Sequence, residues 1–433
     1  MKTKNNVVEL EISELLPNGE GLCQKDSQRI QVRNALPGER VSARILKKRK
    51  GVKYSDGVEI KNASSARMES SCSYFPRCGG CSMLHMKPAI EIELKQNKLL
   101  SDLHENGIVF DDVLKPNTKN VLGYRRKARL GVKCLGDTVL VGFRESFSSR
   151  VARIDHCEIL SPRLSSLIVE LKEVISRCSI RNHIPQIELA EGDDGIALIV
   201  RHLEELSNAD LLLWQELSEN TSASVFFQSA GYDSLILLDS KSSKANLSYS
   251  LLEHGVFLEF LPEQFIQVNH QINLELIRTA LCFFGDLRGK VIQDYFSGIG
   301  NFSLPLARNG AHVFGYELSS SSVDMALRNT LTNQLKSRAT FSVVDLYKDL
   351  PEVTSYPDYI LIDPPRSGAG PNLSRWLEPA SCQKLVYISC NSESFARDAR
   401  IINNQGFKSQ QIALFNMFPG TAHFEIVSLF IRE

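Results

Sequence analysis

The fold is decided by the stretch Val291-Ile292-Gln293-Asp294-Tyr295-Phe296-Ser297-Gly298-Ile299-Gly300-Asn301-Phe302. An apolar run meets a glycine pair here, which is typical of a strand that turns sharply into a helix. The stretch predicts a first strand, Val291–Phe296, preceded by a helix over Asn269–Phe284. Further strand-like runs follow, with helical stretches between them: His312–Tyr316, Thr340–Val344, Tyr359–Ile362 and Leu385–Ile388. Alternating strands and helices predict an α/β fold, a Rossmann-like doubly wound parallel sheet, over residues 262–433.

The turn at 297–301 is a candidate cofactor site. Its glycines let the backbone approach a ligand, which in such sheets lies at the carboxyl ends of the strands. Glu317 is predicted to end the next strand, where an acid can accept hydrogen bonds from ribose hydroxyls, and Asp345 to end the third. A dinucleotide fingerprint requires a third glycine, but Phe302-Ser303 stands there. This departure favours S-adenosylmethionine over NAD, while the alternative is a tight turn that binds nothing.

Two further segments follow apolar runs. Asp363-Pro364-Pro365-Arg366 comes after one run, and Ser389-Cys390-Asn391 comes after the next. Asp-Pro-Pro-Arg is shared by many adenosylmethionine enzymes that methylate nucleic acids. A thiol is not needed to methylate an amino group, but carbon 5 of a pyrimidine is a poor nucleophile that a thiolate must activate by adding to carbon 6. Cys390 is therefore a candidate nucleophile, although a lone cysteine is more often an inert buried thiol.

Such a reaction also needs a base that removes the carbon 5 proton before the thiol can leave. The segment Phe418–Glu425 precedes the last apolar run, Ile426–Ile431, and contains two candidates. Glu425 is the preferred base, because a partly dry pocket can raise the pKa of a glutamate to suit this task. His423 is the competitor, because its ordinary pKa is nearer neutrality. A surface acid on an edge strand is the alternative interpretation of Glu425.

The remainder of the chain divides into two parts. Residues 1–65 alternate apolar and polar in short runs separated by turns, which predicts a small β-barrel of the kind that often binds nucleic acid. Residues 66–261 form a central mixed α+β part, with a predicted helix at 88–107 that could pack on the catalytic domain. Lysine plus arginine and aspartate plus glutamate both number 50, but positive charge is concentrated in residues 1–70 and 121–163, where phosphate contacts are plausible.

Three cysteines form a tight group, Cys72-x5-Cys78-x2-Cys81. No apolar segment reaches membrane-spanning length and no signal-like core follows the N-terminus, so we expect a cytoplasmic protein with no membrane partner. Thiols this close in a reducing compartment usually share a metal. Cys157 or Cys134 could supply the fourth ligand, and the spacing does not distinguish zinc from an iron–sulfur cluster.

Asp-Pro-Pro-Arg, Ser-Cys-Asn and the late His-x-Glu together resemble the RNA uracil-5-methyltransferases, as does Gln264-Phe265-Ile266-Gln267-Val268-Asn269. The resemblance covers the chain closely from about residue 262 to the end. It implies that Cys390 is the nucleophile and Glu425 the base. It also implies an S-adenosyl-L-methionine site lined by Gln267, Phe296, Asn301, Glu317, Asp345 and Asp363. Ser297 departs from the family, which often has cysteine or glycine there.

The resemblance extends to members that carry a TRAM domain, an OB-type RNA-binding barrel, and a [4Fe–4S] cluster. It implies cluster ligands Cys72, Cys78, Cys81 and Cys157, and a TRAM-like fold for residues 1–65. Because these two additions occur together in enzymes of 23S ribosomal RNA, we expect methylation of a 23S rRNA uridine by a monomer. The alternatives are the same reaction on tRNA, an amino-group methyltransferase, and a non-catalytic RNA-binding protein with a decayed methyltransferase fold.

Overall fold

The computed structural model describes residues 7–25, 28–119, 122–241, 243–352 and 355–432, so the first six residues of the predicted barrel lie outside it. The N-terminal part is one sheet with the strand order β1-β5-β6-β4-β3-β2. The sheet curls because its two edge strands, β1 and β2, follow each other closely in the chain, although β1 pairs with β5 and β2 pairs with β3. The curled sheet encloses a small apolar core. The strands are β1 Val7–Glu11, β2 Glu14–Leu15, β3 Gly21–Lys25, β4 Gln28–Arg33, β5 Arg40–Arg49 and β6 Val52–Ile60.

The central part contains a second six-stranded sheet, flanked by two helices. Runs such as Ile196–Arg201 are apolar at nearly every position because the sheet is covered on both faces. The strand order is β13-β12-β11-β10-β8-β9, and β14 and β15 form a separate hairpin. The elements are α1 Pro88–Glu105, β7 Asp112–Val113, β8 Lys127–Leu135, β9 Thr138–Gly142, α2 Pro162–Arg177, β10 Gln186–Glu191, β11 Ile196–Arg201, α3 Asn208–Thr221, β12 Ala223–Gln228, β13 Leu235–Leu237, β14 Leu247–Leu251 and β15 Val256–Phe260.

The C-terminal part is built on an eight-stranded sheet with the order β18-β17-β16-β19-β20-β22-β21-β7. The first five of these strands pair in parallel, whereas β22 runs antiparallel between β20 and β21. The predicted α/β fold is therefore confirmed. The elements are α4 His270–Phe284, β16 Val291–Tyr295, α5 Ser303–Arg308, β17 His312–Glu317, α6 Ser320–Thr332, β18 Ala339–Val343, β19 Tyr359–Ile362, α7 Leu373–Trp376, β20 Lys384–Ser389, α8 Ser392–Asn404, β21 Phe407–Phe415 and β22 Glu425–Arg432.

Both faces of this sheet are buried, which explains the unbroken apolar runs in its central strands. In β19, Tyr359 and Leu361 pack into the core shared with α4, α5 and α6. Ile360 and Ile362 point the other way, into the core shared with α1, α7 and α8. Alternate side chains of one strand thus fill two cores. Within the part of the chain that the structure describes, no helix is both long and apolar enough to cross a membrane.

Gly315 in β17 lies where there is no room for a side chain. A Cβ atom there would overlap the Phe341 ring and lie 2.9 Å from Ser297 Oγ. We predict that Gly315→Ala lowers the free energy of unfolding by about 1–3 kcal/mol, since overpacking a core forces neighbours out of place. Urea denaturation followed by fluorescence measures the change. Gly231→Ala is the control, because a Cβ at Gly231 meets nothing within 4 Å; an equal effect of the two substitutions would contradict the prediction.

Candidate active site

The loop after β16 is shaped by unusual backbone geometry. Phe296 has a φ of 67°, a left-handed conformation that is costly for a bulky residue and is concentrated at functional sites. This turn explains why β16 ends at Tyr295 rather than at Phe296 as predicted. Gly298 and Gly300 also have positive φ values, of 53° and 93°, which glycine adopts without strain. The loop is thus bent across the carboxyl ends of the strands.

Glu317 lies at the end of β17, as predicted, beside this loop. One carboxylate oxygen accepts a hydrogen bond from the Gly298 N–H (3.2 Å), and the other accepts from the Ser319 N–H (2.9 Å). The acid therefore connects the glycine turn to the start of α6. A carboxylate in this position can accept hydrogen bonds from the hydroxyls of a ligand in the turn.

Asn301 is held by the elements that precede the sheet. Its side-chain amide exchanges two hydrogen bonds with Asn273 of α4 (2.8 and 2.9 Å), and its oxygen also accepts from the Tyr249 hydroxyl (3.0 Å). Gln267 lies beside them in a pocket at the junction of the central part and the C-terminal part. This pocket is lined by Arg126, Glu191, Tyr249, Ile266, Gln267, His270 and Asn273. The hydrogen bonds of Asn301 to Asn273 and Tyr249 therefore hold the loop after β16 in place.

Asp345 does not end the third strand, so that prediction is wrong. The strand β18 ends at Val343, and Asp345 begins a turn in which its carboxylate accepts from the Tyr347 N–H (3.2 Å) and pairs with Lys348 (2.8 Å). The Tyr347 ring lies 6.0 Å from the Phe296 ring, which is also 6.1 Å from Trp376. Asp345 therefore lies beside an aromatic wall at the same edge of the sheet.

Asp294 is not among the predicted site residues, yet it is buried below the loop with 1% of its surface exposed. One of its oxygens accepts from the Ser303 hydroxyl, whereas its other oxygen and Ser297 Oγ have no partner among the described residues. Burial, with smaller contributions from the charges of Asp363 and Glu317 and against the Ser303 hydrogen bond, raises the pKa of Asp294 to about 7. The feature of the sequence that could have identified Asp294 is its charge inside the predicted strand Val291–Phe296. Buried polar atoms without partners are the expected lining of a site that binds a polar ligand.

Cys390 and Glu425 are neighbours because of how β20 and β22 pair. The last paired residues of these antiparallel strands are Ser389 and Ile426. Cys390 follows Ser389, and Glu425 precedes Ile426, so the register of the pair brings them side by side, and the charge of Glu425 acts on the Cys390 thiol. Glu425 is the first residue of an interior strand and is 4% exposed, rather than an acid on an edge strand.

Asp363, the residue that follows β19, is the third ionisable group near Cys390 and Glu425. Burial raises the pKa of Asp363 to about 7 and raises that of Glu425 well above its usual range, with Asp363 adding to the latter. Burial also raises the pKa of the Cys390 thiol to about 12, and the two carboxylates add to the rise. Three groups whose ionisation is disfavoured thus lie together in one partly buried pocket, which is characteristic of sites that transfer protons.

Arg366 is the positive group of the pocket, a role not predicted from the sequence. Its charge opposes the rise in pKa of both Cys390 and Glu425. Its guanidinium lies 3.4 Å from His423 Nδ1, and its backbone oxygen accepts from the Asn391 side chain (2.9 Å). Burial lowers the pKa of His423, and Arg366 lowers it further, so this histidine is a weaker base than an ordinary one.

The cysteine group is assembled by contacts between two distant segments. The Tyr74 hydroxyl accepts from the Asp155 N–H (3.0 Å) and lies 3.3 Å from His156 Nδ1, which brings Cys157 to the loop of Cys72, Cys78 and Cys81. Thiol charges in this group of four act on one another. Cys134 is elsewhere, with its thiol donating to the Arg181 carbonyl (3.2 Å). Among the described residues, no three histidine, cysteine, aspartate or glutamate side chains are arranged so that they could hold a metal ion.

Comparison with known proteins identifies the family. The family model described as tRNA (Uracil-5-)-methyltransferase matches residues 91–433. The chain therefore belongs to this family of methyltransferases, as the sequence motifs indicate.

Its relatives include two proteins named 23S rRNA (uracil(1939)-C(5))-methyltransferase RlmD. The one from Hahella chejuensis is 37% identical over 440 residues, covering 99% of this chain and 98% of the relative. The one from Alkalilimnicola ehrlichii is 38% identical over 432 residues, covering 98% and 96%. Among solved structures, the Pyrococcus abyssi tRNA (uracil-54, C5)-methyltransferase in complex with S-adenosyl-L-homocysteine superposes with a TM-score of 0.74 at 23% identity, covering 98% of this chain and 99% of that one. The last match shows the shared fold.

The surroundings of Cys390 predict how its reactivity depends on pH. A thiol whose pKa is raised to about 12 has little thiolate at neutral pH, and the thiolate fraction increases about tenfold per pH unit below the pKa. Alkylation of Cys390 by iodoacetamide should therefore still be accelerating above pH 9. Peptide mass spectrometry measures the rate, with the exposed Cys282 as internal reference. Glu425→Gln should speed the reaction of Cys390, because it removes a neighbouring negative charge; an unchanged profile would contradict the assigned surroundings.

Proposed function

We propose that this protein methylates carbon 5 of a uridine in 23S ribosomal RNA, with S-adenosylmethionine as the methyl donor and a covalent bond between Cys390 and the uracil. The observation that carries the proposal is the pairing of β20 with β22, which sets Cys390 opposite Glu425. The names of the relatives support the substrate and give its position as uridine 1939. A cytoplasmic location follows from this substrate, and we propose that the protein acts as a monomer.

The first half of the reaction uses Cys390. The half-buried thiol loses its proton to water, and its sulfur adds to carbon 6 of the uracil while the electrons of the 5,6 double bond move toward carbon 5 and oxygen 4. Carbon 5 then takes the methyl group from the sulfonium of S-adenosylmethionine, which leaves as S-adenosylhomocysteine. Arg366 stabilises the negative charge that develops in this poorly hydrated pocket.

The second half uses Glu425. Carbon 5 now carries both a methyl group and its original proton, and the carboxylate removes that proton. The electrons of the C–H bond restore the 5,6 double bond, and the bond from carbon 6 to sulfur breaks. The raised pKa makes Glu425 a stronger base than an ordinary glutamate, whereas the lowered pKa of His423 makes it a weaker one. These shifts favour Glu425 over His423.

The methyl donor would be held at the glycine turn. The residues at this edge fit it: Glu317 for the ribose hydroxyls, Phe296 as part of an aromatic wall, and the unpartnered polar atoms of Asp294 and Ser297 below the loop. We assign the site to Gln267, Phe296, Asn301, Glu317, Asp345 and Asp363. Asp363 lies between the turn and Cys390, where it can line both halves of the site.

An RNA-binding surface is proposed where the N-terminal sheet meets the loop after β9. Tyr54 and Phe147 have ring centroids 4.8 Å apart, and Lys47 Nζ lies 4.5 Å from the Phe147 ring. Aromatic rings beside cations are suited to stacking unpaired bases and binding phosphates. This surface supports a TRAM-like, OB-type role for residues 1–65. With the central part, 66–261, it would hold the strand while the target uridine leaves its stack and enters the domain at 262–433.

RNA containing 5-fluorouridine tests the mechanism, because fluorine at carbon 5 cannot be removed as a proton and the adduct persists. With S-adenosylmethionine, the wild-type protein should form a protein–RNA adduct that survives denaturing electrophoresis. Cys390→Ala should abolish it, whereas Glu425→Gln should let an adduct accumulate on ordinary uridine. An adduct that survives Cys390→Ala would refute the mechanism, and undiminished methylation by that variant would indicate an amino-group methyltransferase instead.

The choice of RNA requires a direct comparison of substrates. Family membership and the assembled pocket favour an enzyme over a non-catalytic RNA-binding protein, but tRNA remains the alternative substrate. We predict that a 23S rRNA fragment containing the equivalent of uridine 1939 is methylated at least about tenfold faster than tRNA transcripts, a difference of about 1.4 kcal/mol in activation free energy. Incorporation of tritiated methyl groups measures both rates. Faster methylation of tRNA would overturn the assignment.

We further propose that Cys72, Cys78, Cys81 and Cys157 bind a [4Fe–4S] cluster. Four cysteine thiolates are the usual ligands of such a cluster, and the Tyr74 contacts bring the segment of Cys157 to the segment of the other three cysteines. Methyl transfer moves no electrons, so the cluster would serve to hold these segments together.

Two cysteine variants test the cluster. Anaerobically purified protein should be brown, with broad visible absorption and about four irons per chain. Cys157→Ser should lose most of the iron and absorption because it removes a ligand. Cys134→Ser is the matched control and should keep both, since that thiol bonds to the Arg181 carbonyl instead. A colourless protein with stoichiometric zinc, or equal iron loss in the two variants, would contradict the proposal.

A further inference from the structure

Helix α1 carries two ion pairs, each with the spacing i, i+4; the first is buried and the second is partly exposed at its lysine. Glu91 and Lys95 are 2.7 Å apart, and Lys98 and Asp102 are 2.6 Å apart. Pairs with this spacing usually lie in water, yet Lys95 is only 1% exposed. Burying a lysine charge is costly unless it is fully paired and hydrogen-bonded. The contacts made by these pairs are therefore informative about their role.

The first pair holds the loop that leads to Glu425. Lys95 Nζ donates to Asn416 Oδ1 (2.7 Å) and to the Phe418 carbonyl (3.3 Å), while the Glu91 carboxylate accepts from the Gly420 N–H (3.1 Å). Asn416 also donates back to Glu91 (3.2 Å). Loop 416–420 is thus fixed to the helix only five residues before Glu425.

The second pair holds the segment that carries Cys390. Asp102 accepts from the Ser392 hydroxyl at the start of α8, and Lys98 donates to Glu393 (3.0 Å). Ser392 is two residues after Cys390. One rigid helix is therefore bonded separately to the segment before the base and to the segment after the nucleophile.

We propose that α1 is a positioning helix for the reaction, in which the Glu91–Lys95 pair sets Glu425 for proton removal and the Asp102–Ser392 contact sets Cys390 for attack. The inference rests on the proposed function. Catalytic groups must be held within about 0.5 Å of the productive geometry. Other contacts also hold these two loops, such as Tyr124 to the Pro419 carbonyl (3.1 Å), but the side chains of α1 bond to both of them. Loss of the first pair should impair release of the RNA, and loss of the second contact should impair attack.

The test compares adduct formation with adduct release. The double variant Glu91→Gln/Lys95→Met removes both charges while keeping side-chain volume, which avoids leaving one charge unpaired. Its adduct with 5-fluorouridine RNA should form within about twofold of the wild-type rate, whereas turnover on ordinary RNA should fall about 10- to 100-fold, the effect of a displacement of about 1 Å. Adduct should accumulate on ordinary uridine, as in Glu425→Gln. The single variant Glu91→Gln leaves the buried Lys95 charge unpaired and should therefore show the same pattern at least as strongly.

Ser392→Ala should give the opposite pattern: adduct formation slows about tenfold, and little adduct accumulates on ordinary RNA. Glu253→Gln, which breaks an exposed ion pair with Arg278, is the control for charge removal and should change neither rate. A proportional fall of both rates in the α1 variants, or no change in either, would overturn the inference. If the wild-type protein forms no adduct with 5-fluorouridine RNA, it is the proposed function that fails.

Discussion

The antiparallel insertion of β22 between β20 and β21 is the constraint on which the site depends. If β22 ran parallel to β20, its last residue rather than its first would lie at the carboxyl edge of the sheet. Glu425 would then lie at the opposite edge, away from Cys390. Because β22 runs the other way, its first residue, Glu425, meets the residue that follows the last residue of β20, Cys390. The same pairing extends the sheet and lets Leu429 and Phe430 fill the cores on its two faces. The pairing that extends the sheet thus also brings the proposed nucleophile to the proposed base.

The surroundings of the reactive groups raise their pKa values. Burial penalises the ionised forms of Cys390, Glu425 and Asp363; in addition, the charge of Asp363 raises the pKa of Glu425, and both carboxylates raise that of Cys390. The positive charge of Arg366 acts in the opposite direction and lowers the pKa of both Cys390 and Glu425. In the proposed mechanism, a uracil entering this pocket would displace water and bring the atom at which negative charge develops close to that guanidinium. The arrangement thereby links reactivity of the thiol to binding of the base.

The sequence predicts the parallel part of the sheet well, because strands buried on both faces appear as continuous apolar runs. It predicts β21 poorly, since Gln410-Gln411 and a bulge at Ser409/Gln411 interrupt its alternation. Asp345 was predicted at a strand end because an apolar run precedes it, but its carboxylate favours a turn. Spacing alone does not separate Cys157 from Cys134, since the Tyr74 contacts that bring Cys157 near join residues about 80 positions apart. The burial of Lys95 could not be predicted from the sequence either, because two of its partners, Asn416 and Phe418, lie more than 300 residues away.

The most direct test of the account is a crystal structure of the protein trapped on 5-fluorouridine RNA with S-adenosylhomocysteine in place. The account predicts that Cys390 Sγ is bonded to carbon 6, and that a Glu425 oxygen lies within hydrogen-bonding reach, about 2.6–3.2 Å, of the substituents on carbon 5. His423 should be further away and face Arg366. A uracil bonded to another residue, or carbon 5 facing His423 with Glu425 out of reach, would contradict the central claim.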